Sequence, residues 1–291
     1  MVSKALASLL SLGVFMGWAL PSFAQPLGAP GTPSAPLGPT RFFIIPKADV
    51  LPSGTAVTSL NLQLSTIAPG QVMPGIGTPT PSSPGLGLGF GYGGNALDLS
   101  NQTAMGSLFE LDTGISAYAT TPWQGRVDVA GKLGLLQQKL GSLASVAGMA
   151  GVALNVNANG MPSLGFTVGV PVTTTLSLSP MNHLTLSAYP NWGTGLVAPG
   201  LIQTGVIPPT RFALGLGGSL TLTDTVMLLA DTSLLGIGPG APNEGADFGV
   251  RFGYSPNVTF DIYASTAPNI APTSAFVSRP LSISAGMNWS Y

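Results

Sequence analysis

The chain has 291 residues, a formal net charge of −1 and only 7% charged residues against 45% hydrophobic ones. Soluble domains carry about 25% charge, so a soluble protein of this composition would be prone to association, and a near-neutral chain without a basic run gives no footprint for a nucleic-acid partner. Cysteine is absent, which excludes a disulfide framework, a thiol nucleophile and a thiolate metal site.

Met1 to Ala24 has the layout of a secretory signal peptide. Lys4 supplies the positive start and Ala5 to Leu20 the apolar stretch. Pro21 then breaks the helix, and Ser22-Phe23-Ala24 forms a small-x-small cleavage site before Gln25. The competing reading is a membrane anchor, for which the apolar run is short. Residues 25–54 follow as a Pro/Gly-rich leader, extended or disordered by composition, with a plug of a barrel lumen and a periplasmic segment as its alternative places. Its one apolar patch, Phe42-Phe43-Ile44-Ile45, closed by Pro46, reads either as an extra short strand or as a segment tucked into a lumen.

Apolar runs of about 20 residues, the mark of helical membrane spans, are missing after the N-terminus. Apolar residues alternate instead with Gly, Ser, Thr and Asn. From Thr55 the alternation predicts about twelve strands: 55–66, 84–92, 107–118, 124–136, 144–157, 163–178, 183–190, 210–222, 225–235, 246–254, 257–265 and 280–291. Phe212, Leu214, Leu216, Leu220 and Leu222 share one face of their strand; Phe248, Val250, Phe252 and Tyr254 do the same. Short connections at 179–182, 223–225 and 255–257 alternate with long Gly/Pro-rich links at 191–209, 236–245 and 266–279. The first half is less regular. The 93–106 link is long for a tight turn, and an error of one hairpin there would give ten or fourteen strands.

With the apolar face of each strand turned to lipid, Glu110, Asp112, Arg126, Asp128, Lys132, Arg211, Asp231, Asp247, Arg251 and Asp261 all fall on the opposite face. An Arg or Lys on the lipid face near the midplane would cost about 2–4 kcal/mol. These ten read either as ion pairs that fill and brace the interior or as a constriction that a solute passes. Both signs are present, without an evident bias.

Enzymatic chemistry has little to stand on. The one histidine, His183, follows a turn, and Ser187 is four residues on; the pair does not make the spacing of a nucleophile and its base. Gly85, Gly87, Gly89 and Gly91 alternate with apolar residues, but no βαβ context makes them a phosphate loop. Neither a metal nor a cofactor site is indicated. Trp123, Trp192, Trp289, Tyr118, Tyr189, Tyr254 and Tyr291 lie near predicted strand ends, where interfacial aromatic girdles sit.

The last strand, Leu281 to Tyr291, alternates most cleanly: Leu281, Ile283, Ala285, Met287, Trp289 and Tyr291 against Ser282, Ser284, Gly286, Asn288 and Ser290. It resembles the closing strand of bacterial outer-membrane β-barrels. That resemblance implies an all-β, antiparallel, up-and-down transmembrane barrel of residues 55–291 in the outer membrane of a double-membraned bacterium. In it, Met287, Trp289 and Tyr291 would form the signal read by the barrel-insertion machinery. The expected function is a porin-like passive channel for small solutes, with outer-membrane lipid as surroundings. The alternatives are a structural or surface-interaction barrel with a filled lumen and, further off, an outer-membrane hydrolase.

Overall fold

In the computed structural model the described residues are 39–65, 96–118, 124–138, 142–157, 162–179, 182–194, 210–235, 245–265 and 282–291. The expectations for the signal peptide, for residues 25–38 and for a strand at 84–92 lie outside them.

Among the described residues thirteen strands form one antiparallel sheet: β1 (Ala56–Ser65), β2 (Ala96–Ala104), β3 (Phe109–Tyr118), β4 (Gln124–Leu136), β5 (Ser145–Asn157), β6 (Ser163–Gly169), β7 (Val172–Ser177), β8 (His183–Thr194), β9 (Thr210–Thr223), β10 (Val226–Leu235), β11 (Gly245–Ser255), β12 (Val258–Ser265) and β13 (Ser282–Ser290). Apart from β6 and β7, each strand pairs with its sequence neighbours, and β1 pairs with β13 from Val57↔Ser290 to Ser65↔Ser282, which closes the ring. β6 and β7 both pair with β5 and β8, end to end. They are one stave broken at Val170-Pro171, so the barrel has twelve staves. The break has a local cause: Pro171 has no N–H for the ladder. Nearby bonds keep the stave in place, Val170 N–H donating to the Pro190 carbonyl (3.0 Å) and Ala147 N–H to that of Pro171 (3.0 Å).

Alternation decides the two surfaces of the wall. Leu62, Leu97, Val168, Phe248, Ile262 and Ile283 face out and are exposed, while Ser59, Asn61, Ser100, Gln102, Thr167, Ser219 and Ser284 face in and are buried. An apolar exterior around a polar interior is the pattern of a barrel whose solvent is lipid. A closed ring also leaves no strand edge with unpaired backbone groups, which the bilayer core would not tolerate.

Two expectations change. The 93–106 link contains a strand, β2, whose inward residues Ala96, Asp98, Ser100, Gln102 and Ala104 are all buried. β8 also runs past Pro190, because Asn191, Trp192 and Gly193 still pair with both neighbours. The connections 105–108, 137–144, 178–182, 224–225 and 256–257 join strands at the end where β1 begins and β13 finishes. The long links 66–95, 195–209, 236–244 and 266–281 join strands at the other end, as do the short 119–123 and 158–162. Short and long connections therefore alternate strictly only in the second half.

Candidate functional site

The lumen is occupied. Residues 40–47 of the leader form a tight hairpin, with an isolated bridge between Arg41 and Pro46. Phe42 N–H donates to the Ile45 carbonyl (3.0 Å) and Lys47 N–H to that of Thr40 (2.9 Å). The apolar patch read from the sequence is the hairpin tip, and Phe42, Phe43, Ile44 and Ile45 are each at most 2% exposed. They cluster with the inward-facing Met149, Tyr189, Leu229 and Tyr263. Phe43 stacks on Tyr263, ring centroids 4.2 Å apart. On β9 a side chain would have no room: a Cβ at Gly217 would strike the Phe42 ring, and one at Gly215 would strike Ile45.

Polar groups fix the hairpin at two points. The amides of Phe43, Ile44 and Ile45 all donate to Asp231 Oδ2, at 2.9, 2.8 and 3.0 Å. Three successive N–H groups converging on one oxygen form an anion cradle, here supplied by the leader and filled by a carboxylate of the wall. The second point is Glu110. It accepts from Thr40 Oγ1 (2.5 Å) and Leu51 N–H (2.9 Å), and pairs with Lys132 Nζ (2.7 Å). Asp231 on β10 and Glu110 on β3 sit six staves apart in a ring of twelve, so the leader is tied to opposite sides of the barrel. Smaller ties lie between: Ala48 N–H to Thr173 Oγ1 (2.7 Å), Ser187 Oγ to the Pro46 carbonyl (3.1 Å) and Arg41 Nη2 to Ser100 Oγ (2.5 Å).

Of the ten inward charges expected from the sequence, nine are buried inside the ring. Arg211 is placed by its backbone opposite Gly193 on β8; its side chain is outside the described residues. Arg126 pairs with Asp128 (2.9 Å) two residues along the same face of β4. Arg251 pairs with its cross-strand neighbour Asp261 (2.7 Å), which also accepts from Asn288 Nδ2 (3.0 Å). Asp112 accepts from Gln102 Nε2 (3.2 Å). Asp247 lies directly across from Asp231.

Sequence reasoning missed Asp98, Arg41, Lys47 and Asp49. Asp98 was lost with β2; the other three sit in the leader, where no periodicity marks a face. Burial pulls the Arg41 guanidinium below its ordinary pKa, opposed by the nearby Asp112 carboxylate. Burial, with Arg251 nearby, pulls the Lys47 ammonium down to about 8, and its Nζ lies 5.0 Å from the centre of the Phe42 ring.

Tyr189, expected in an aromatic girdle, is instead fully buried in the lumen, because its parity on β8 matches that of Ser187 and Asn191. Trp192, Tyr254 and Tyr291 do face out. Tyr291 crosses the closing seam: its backbone bonds to Ala56 in both directions (2.9 and 3.0 Å), and its hydroxyl accepts from Asn101 Nδ2 (3.0 Å). Met287 and Trp289 lie on the same outward face, opposite Leu60 and Thr58 of β1. His183 and Ser187 are not brought together. His183 Nδ1 lies 3.3 Å from Ser177 Oγ, while Ser187 turns to the leader and Thr173.

The geometry is that of a transmembrane β-barrel with a polar lumen. Among solved structures, it is similar to the KdgM porin in complex with disordered oligogalacturonate, at 8% identity over 81% of this chain and 99% of that one, with a TM-score of 0.47. It is similar also to the outer-membrane protein Omp33 of Acinetobacter baumannii (7%, 81% and 97%, 0.45) and to the NanC porin (10%, 81% and 98%, 0.45). No protein-family model matches the chain, and no curated protein matches it.

Proposed function

We propose that this chain is an outer-membrane passive channel for small solutes, closed at rest by its own leader. The carrying observation is that a ring of twelve staves with a charged, small-residue inner face holds a separate segment by side-chain and amide contacts. Barrels of eight strands fill their interior with wall side chains, and those of sixteen hold an aqueous pore. A twelve-stave barrel falls between, and here a chain segment takes up the difference. On this reading residues 1–24 direct export and are removed, residues 25–54 are leader and plug, and residues 55–291 are the barrel. Met287, Trp289 and Tyr291 serve the insertion machinery. N-terminal sequencing of the protein from outer membranes, beginning at Gln25, is the check on the first boundary.

The test is conductance in planar bilayers, comparing the mature chain with one lacking residues 25–54. Steps that emerge only on truncation support the plug. Steps of equal size from both chains would mean that solutes pass beside the leader. A second reading, a structural barrel with a permanently filled lumen, is favoured by the apolar packing of Phe42 to Ile45 against Met149, Leu229 and Tyr263. Silence from both chains, with heat-modifiable migration proving a folded barrel, would select it.

A further inference from the structure

The charge of the lumen wall is not balanced. Among the described residues seven carboxylates face in: Asp98 on β2, Glu110 and Asp112 on β3, Asp128 on β4, Asp231 on β10, Asp247 on β11 and Asp261 on β12. Three cations face in with them, Arg126, Lys132 and Arg251. Arg211, counted to the wall, raises the cations to four and still leaves an acidic excess. The ten charges read from the sequence already stood at six carboxylates to four cations, and Asp98, which fell in a segment read as a link, widens the excess.

The leader carries the opposite sign into this tube. Arg41 and Lys47 outnumber Asp49 among residues 39–54. Arg41 is buried, with its guanidinium on Ser100 and close enough to Asp112 and Glu110 to feel both. A narrow passage whose wall carries a net charge, in a low-dielectric surround, concentrates counter-ions and repels co-ions.

We infer that the path through this barrel selects for cations, inorganic ions or small ammonium and guanidinium solutes, and that the leader lies in it as a tethered cation. This rests on the channel reading above. It adds a sign to the solute, which neither the fold nor the plug by itself requires.

The experiment keeps the full mature chain and loosens only the leader. Ile44→Pro with Ile45→Pro removes two of the three amides on Asp231 and leaves every charge of the wall in place. Reversal potentials are read across planar bilayers under a tenfold KCl gradient. The expected cation-to-anion permeability ratio is on the order of 10, and Asp98→Asn with Asp112→Asn in the same chain lowers it by about half or more. A ratio at or below one, unmoved by the two Asp substitutions, overturns the inference and leaves the channel reading intact. Silence from all variants, with heat-modifiable migration proving folded barrels, overturns both. Should the double proline variant fail to fold, Phe42→Ala with Phe43→Ala loosens the apolar grip instead, and the same ratio decides.

Discussion

The two sides of the lumen hold the leader by different means. On the side of β2, β3 and β4 the wall is polar: Gln102, Glu110, Asp112 and Lys132 surround Thr40 in a connected set of hydrogen bonds and one ion pair. On the side of β9 the wall lacks side chains at Gly215 and Gly217, and Phe42 and Ile45 fill the space over them. One side recognises charge and hydrogen-bonding groups; the other recognises shape. The Asp231 cradle, on β10 beside the glycine wall, joins the two by holding the backbone of the apolar tip. Polar contacts fix where the hairpin sits, and the glycines decide which rings fit there.

Substitutions on each side test this division. The chain has no cysteine, so a single Ile45→Cys gives an accessibility probe for the leader, its thiol labelled from the aqueous phase. The largest effect is expected at Glu110. Glu110→Ala removes the partner of a fully buried Lys132, a loss of about 3–5 kcal/mol, read as rapid labelling of the probe thiol and a lower melting temperature. Asp231→Ala comes next, orphaning three amides for about 3 kcal/mol, with labelling faster by roughly two orders of magnitude while heat-modifiable migration persists. Gly217→Val drives a side chain into the Phe42 ring and costs about 2 kcal/mol. Gly218→Val is its control, because a Cβ there meets only Leu186 at an ordinary 3.5 Å and a backbone oxygen beyond it, and labelling should stay at the parent rate. Ser100→Ala is the smallest, about 1.5 kcal/mol for one acceptor lost to the charged Arg41. Equal labelling in Gly217→Val and Gly218→Val would end the claim that shape matters on that side.

Much of the barrel was legible because lipid enforces a strict parity. In β11, β12 and β13 the outward positions are mostly apolar, and the inward charges Asp247, Arg251 and Asp261 were identified by position alone. The strand inside the 93–106 link was missed for a physical reason. Gly85 to Tyr92 alternates Gly with large apolar residues, a cleaner signal than Ala96 to Ala104, where Asn101 and Thr103 put polar groups on the outward face too. Those groups are matched locally, Asn101 bonding to Thr58 and Tyr291, and no pattern along the strand reveals that. The seat of the leader was illegible for another reason. Its partners lie far along the chain, 186 to 188 residues away for Asp231, and a Pro-rich segment has no period from which a face could be read.

The opposed ties to Glu110 and Asp231 have a consequence for the order of assembly. The two carboxylates face each other across the lumen only when β13 has met β1 and the circle is complete. The hairpin precedes every stave in the chain, yet its berth is finished by the last of them. A ring short of one stave, or closed in the wrong register, would present the two carboxylates at a different spacing and leave the hairpin outside. Protection of the leader thus certifies that the wall was built correctly, and a protease sampling the region around Phe42 would destroy only those copies that failed to close.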